Sequence, residues 1–208
     1  MPRTARAGAR KKREAPSESQ LPRDERRSEL LDAAYTLIAE KGLEGLRTRD
    51  IAARAGVNIS TLHYYFGTKE ELLVAVVERV RDTFTQRESG REPGKETLRA
   101  HLESAWRSFQ TAPHLSVILQ ELLARAQRDP AARGALKTLH SFWNGVVEEV
   151  IRAGIERKEL RADLDPAAGA RIVTAFVIGA TAQLGINPKA FDFALVAREL
   201  ERWARRSS

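Results

Sequence analysis

Along this chain apolar side chains recur at three- and four-residue intervals and almost nowhere alternate, which predicts helix after helix. Between Asp24 and Lys41, Leu30, Ala34, Leu37 and Ile38 share one helical face, and Gly42 supplies a stop. A short helix is expected from Thr48 to Ala55, with Thr48 as N-cap, Asp50 in the favourable first turn and Gly56 at its end. Asn58 is placed to cap a third helix running through Phe66, closed by Gly67. Thr68 and Glu71 then form a capping box for a fourth, which carries Leu72, Leu73, Val76, Val77 and Val80 to about Arg87.

The two glycines and Pro93 between Glu88 and Gly94 mark the best domain boundary. Beyond it, Leu98, Leu102, Ala105, Trp106 and Phe109 step at helical spacing. Pro113, Pro130 and the pair Asp165-Pro166 each suit a helix start, since proline at the first helical position is preorganised. Gly185 and Pro188 are expected to separate the fourth of these helices from a last one carrying Phe191, Ala194, Leu195, Leu200 and Trp203. With no alternating strand pattern and no internal repeat, the predicted fold class is all-α.

Composition narrows the chemistry. The chain has 208 residues and a hydrophobic fraction of 42%, enough for a buried core, and no cysteine, which excludes disulfides and thiolate metal sites. The four histidines are scattered without acidic neighbours at ligand spacing, so no metal and no cofactor is expected. No apolar run approaches the roughly 20 residues of a membrane span, and the basic N-terminus lacks the apolar stretch of a secretory signal. The expectation is a soluble cytoplasmic protein without membrane partners.

The net charge of +7 is unevenly placed. Residues 1–23 carry seven Lys/Arg against Glu14 and Glu18, or +5, with three prolines and few apolar side chains. This segment is expected to be a disordered cationic arm, either a solvated tail or an element that touches phosphates. Residues 24–87 then read as one domain and 95–208 as another.

The short second helix, the turn Gly56-Val57-Asn58 and the third helix have the spacing of a helix-turn-helix. At about 100° per residue, Leu62, Phe66 and Ile59 fall on one side of the third helix, and Ser60, Thr61 and Tyr64 on the other. His63 and Tyr65 flank them. That outer face is hydroxyl-rich, aromatic and free of acidic residues, so it can enter a major groove about 12 Å wide without meeting phosphates with carboxylates. Lys69, Thr48 and the neighbouring Arg49 are placed to hold backbone phosphate. Each hydroxyl taken alone is equally compatible with plain solvation, and Asn58 serves chiefly as a cap.

The stretch from Ser28 to Val80 resembles the DNA-binding domain of the TetR family of bacterial transcriptional regulators. Three features carry the likeness: the Ala55-Gly56-Val57 turn, Leu62 and Phe66 four apart in the third helix, and Lys69 followed by Leu72 at the opening of the fourth. The resemblance implies DNA contacts from Thr48, Asn58, Ser60, Thr61, His63, Tyr64, Tyr65 and Lys69, and packing roles for Ile51, Ala52, Leu62 and Phe66. Ile59, Ser60 and His63 depart from residues frequent in the family, so base preference does not carry over.

The resemblance further implies a C-terminal helical bundle domain that binds a small-molecule effector and forms a homodimer through its last two long helices. Trp106, Phe109, Phe142, Trp143 and Phe176 are candidates for the walls of an effector pocket. His101, His114, Gln120, His140, Asn144, Thr174 and Gln183 are candidate polar anchors. Every one of these is equally readable as core or surface. The implied function is a sequence-specific regulator, a repressor released from double-stranded operator DNA by its effector. An enzyme is disfavoured, because no nucleophile elbow, phosphate loop, metal spacing or paired carboxylate appears. A non-specific nucleic-acid or membrane-surface protein would depend on the basic arm rather than on the third helix.

Overall fold

A computed structural model of the chain describes residues 22–88, 96–187, 189 and 192–205. The described residues form nine helices: α1 Arg23–Lys41, α2 Thr48–Arg54, α3 Ile59–Tyr65, α4 Lys69–Glu88, α5 Leu98–Thr111, α6 His114–Ala126, α7 Pro130–Glu156, α8 Pro166–Ile186 and α9 Phe193–Ala204. The cationic arm expected over residues 1–23 falls outside the described residues except at its end, where Arg23 is the first residue of α1. Phe191, expected on the last helix, also lies outside them.

Helix ends follow local chemistry. Asp129, Asp165 and Asp192 cap α7, α8 and α9, their carboxylates accepting backbone N–H groups of the first turn. Pro130 and Pro166 occupy the first helical positions. Gly56 adopts φ +67 after α2; its N–H donates to Ala53 and that of Val57 to Ala52, at 3.2 and 2.9 Å. This is a Schellman closure, and the left-handed backbone it needs favours glycine.

Three expectations are corrected. Thr48 is the first helical residue of α2 and Arg47 the N-cap, without a side-chain cap bond. Gly185 lies inside α8, which continues to Ile186; a Cβ there would meet open space, so no neighbour penalises helix at that point. Finally, α8 is long and apolar enough to cross a membrane by length and composition, contrary to the reading of the apolar runs, although only 33% of its most apolar window is buried. It carries Arg171 and packs along α7 and against α6 and α5.

Two apolar clusters organise the chain. The first joins α1–α4 to α6 and the N-terminal half of α7, through residues such as Leu30, Ile38, Leu62, Val76, Leu122 and Leu139. The second joins α5, the C-terminal half of α7, α8 and α9, around Leu102, Ile151, Val173 and Phe193. Val177 packs against both. The helix-turn-helix is thus seated on the bundle through one continuous core.

Candidate nucleic-acid interface and effector cavity

Helix α3 is held by two anchors one turn apart, Leu62 and Phe66, which share the first cluster with Ile51 and Ala52 of α2. The Arg27 guanidinium lies 5.0 Å over the Phe66 ring. With the inner face fixed in this way, Ser60, His63 and Tyr64 project from the other side, and Tyr64 is 68% exposed. Thr61 and Tyr65 are half-buried, and the Tyr64 and Tyr65 rings meet edge to face at 5.2 Å. Ile59, expected on the inner face, is 45% exposed: as the first residue of α3 it sits a turn beyond the edge of the core.

Asn58 caps α3. Its Oδ1 accepts from Thr61 N–H at 2.8 Å, from Ser60 Oγ at 2.6 Å and from Thr61 Oγ1 at 3.0 Å. In this arrangement both hydroxyl protons point at Asn58, so the outward lone pairs of Ser60 and Thr61 suit an adenine or cytosine amino group better than a phosphate. Asn58→Ala is expected to cost about 1 kcal/mol of stability in urea unfolding.

Around α3, Lys69 opens α4 and is exposed, and Arg49 of α2 is exposed with its Nε 3.7 Å from Asp50. Thr48 is half-buried beside it. The Arg23 guanidinium lies 5.6 Å from the Tyr64 ring centroid. Thr68 Oγ1 accepts the Glu71 N–H at 3.1 Å, while the Glu71 carboxylate reaches back to the Gly67 N–H at 2.9 Å. The turn between α3 and α4 is therefore pinned from both sides, which fixes Lys69 relative to Tyr64.

A cavity that opens to solvent lies between α4, α5, α7 and α8. Its walls bring together Phe109, Phe142 and Trp143 from the expected aromatic residues, with His101 and Thr174 from the candidate polar anchors. Trp106 and Phe176 are elsewhere: they gather around Phe193 of α9, with ring centroids 4.2 and 5.7 Å from it. His140 is off the wall, half-buried with its ring 6.0 Å from that of Trp143, and burial lowers its pKa below the ordinary histidine value.

Phe84, Ser104 and Ser108 were not singled out. The last two are buried polar side chains one turn apart on α5. Their spacing with His101 and Ala105 on one helical face is the signal that could have found them.

The bundle also grips the helix-turn-helix half directly. The Leu43 N–H, in the loop after α1, donates to Glu121 Oε2 of α6 at 2.9 Å, and Arg125 Nη1 lies 2.7 Å from Glu44 Oε1. Gly42 turns at φ +71 here, and a Cβ on it would stand 3.0 Å from the Glu121 carboxylate. On the other side of α6, Gln120 Nε2 donates to Thr181 Oγ1 of α8 at 3.3 Å.

Comparison with known proteins agrees with this architecture. The family described as "Bacterial regulatory proteins, tetR family" matches residues 30–76, and "BetI-type transcriptional repressor, C-terminal" matches residues 94–207. The transcriptional regulator PksA of Bacillus subtilis is 35% identical over 68 residues, 33% of this chain and 33% of that protein. The regulator BetI of Rhizobium meliloti is 30% identical over 115 residues, 53% of this chain and 57% of BetI. These matched stretches thus span a third and a little over half of those relatives. A TetR-family regulator structure from Rhodococcus sp. superposes with a TM-score of 0.72 at 28% identity, covering 86% of this chain and 96% of that one. With the C-terminal match alone spanning more than half its length, the chain belongs to the TetR family of bacterial transcriptional regulators.

Proposed function

We propose that the chain is a homodimeric repressor of the bacterial cytoplasm, bound to operator DNA through α3 and released when a small molecule fills the cavity between α4, α5, α7 and α8. The observation that carries this reading is that α4 joins the two sites. Lys69 begins it beside the recognition helix, and Phe84, fifteen residues on, is part of the cavity wall. At 1.5 Å per residue they are roughly 22 Å apart along one rigid helix. A ligand that displaces Phe84 therefore tilts the end of α4 that carries Lys69.

The proposed dimer uses α8 and α9. Ile172 and Ile186 of α8 and Leu195 and Trp203 of α9 are exposed, more large apolar surface than neighbouring elements of a lone subunit leave open without purpose. Two such subunits set their α3 helices in successive major grooves when these stand roughly 34–36 Å apart. Tilting α4 in both subunits changes that separation. The effect is bounded by how much more tightly the ligand binds the tilted state.

Glu121 and Arg125 make α6 part of the same linkage, since they hold the loop between α1 and α2 while Gln120 touches α8. Glu121→Ala leaves the Leu43 N–H without its acceptor. It is expected to cost about 1–3 kcal/mol in urea unfolding and to shrink the fold-change in operator affinity that an effector produces.

The whole reading is tested by titrating the chain onto the DNA upstream of its own coding sequence, with and without a library of small molecules. A two-half-site footprint lost on adding one compound supports it. Binding that is indifferent to sequence contradicts it.

A further inference from the structure

The polar groups of the cavity are few, and they specify a kind of ligand. Thr174 of α8 is 8% exposed, faces the cavity, and its Oγ1 is buried with no hydrogen-bond partner. A buried hydroxyl with both its donor and its acceptor capacity unused is costly, and an occupant of the cavity can supply the partner.

Ser108 of α5 also lines the cavity and is 1% exposed; its hydroxyl donates to the Ser104 carbonyl at 3.2 Å. With that proton committed, Ser108 offers only lone pairs. A carbonyl ligand would leave Ser108 facing another acceptor, whereas a hydroxyl can donate to Ser108 and accept from Thr174, or the reverse with Thr174 as the acceptor.

Among the described residues, no Lys, Arg, Asp or Glu lines the cavity. Its histidine, His101, already has a carboxylate beside it, Nδ1 standing 3.5 Å from Glu96 Oε2. A carboxylate ligand would be desolvated without a counter-charge. A quaternary ammonium would need open aromatic faces. Here Phe84 is packed by the Phe109 ring at 5.4 Å and 62° and by the Trp143 ring at 5.4 Å and 80°, which leaves these three rings less open face for a cation.

We infer that the cavity takes an uncharged, largely apolar alcohol or phenol, whose hydroxyl is held by Thr174 and Ser108 and whose body lies against Phe84, Phe109 and Trp143. This rests on the reading of the cavity as the effector site and adds the class of effector.

The test is calorimetric titration of the full chain with three probes that share one body: 4-butylphenol, 4-butylbenzoate and (4-butylphenyl)trimethylammonium. The phenol is expected to bind at least about tenfold more tightly than either ion. Thr174→Val, which keeps the shape and removes the hydroxyl, is expected to weaken the phenol roughly tenfold and leave the melting temperature of the unliganded chain within a few degrees. Ala105→Phe, which places a ring in the cavity, is expected to abolish binding.

An ion that binds as well as the phenol, or a phenol indifferent to Thr174→Val, overturns the chemical class. If Ala105→Phe still blocks binding in that case, the effector cavity itself stands. Binding of none of the three, or binding that survives Ala105→Phe, overturns the class and the cavity together.

Discussion

Tyr64→Ala is expected to reduce operator affinity between about 30-fold and 10⁴-fold while leaving the fold intact. The ring is 68% exposed and sits at the centre of the outward face of α3. Its loss removes a groove contact worth about 1–3 kcal/mol, and a two-fold dimer loses it in both half-sites. Stability should stay within about 0.5 kcal/mol, as for exposed positions generally. Gel-shift titration measures the first quantity and urea unfolding the second. Lys69→Ala should behave differently. It is expected to weaken all sequences about equally and lower the salt dependence of binding by about one ion per half-site, because a phosphate contact carries no base information.

Leu122→Ala is expected to destabilise the chain by about 2–5 kcal/mol, the usual range for a leucine emptied from a well-packed core. Leu122 is fully buried on α6, in the cluster that α6 shares with α1 and α7. Against a typical total of about 5–15 kcal/mol this is a large fraction. Because that cluster is shared between the helix-turn-helix and the bundle, the two halves should unfold in one transition rather than two. Denaturation followed by tryptophan fluorescence, whose reporters are all in the bundle, and by loss of operator binding should therefore give one midpoint. Val117→Ala, on the exposed side of the same helix, is expected to change stability by no more than about 0.5 kcal/mol.

What the sequence revealed and what it hid follow from the range of the physics involved. Helix periodicity, the helix starts at Pro130 and at Asp165-Pro166, and the glycine turn at Gly56 are local, and they read correctly because the deciding residues lie within one or two turns. Leu62 and Phe66 on the inner face of α3 were legible for the same reason, while Ile59 at the helix start was not. Gly185 misled because glycine punctuates only where its backbone is needed, and inside α8 nothing needs it. Thr48 misled because a hydroxyl near a helix start fits the cap or the first helical position equally well from sequence.

The cavity was harder to see. Whether Trp106 faces it or turns to Phe193 depends on how α5 meets α9, some ninety positions along the chain, and no spacing encodes that register. Ser104 and Ser108 were not singled out, since polar side chains are usually exposed and give no sign of burial. Only the packed bundle shows them buried. The apolar character of α8 was underestimated for a related reason: Gly169, Ala170, Ala175, Gly179 and Ala180 interrupt the bulky residues, but small side chains do not make a helix polar.

The central claim is that the outward side chains of α3 engage bases in the major groove. A photoreactive benzophenone side chain in place of Tyr64, irradiated on the cognate operator duplex, tests it most directly. The account predicts crosslinks to bases inside each protected half-site, and none from the same group placed at Val117 on α6. Crosslinks from position 64 only to the protein itself, or equally to any DNA, would contradict it.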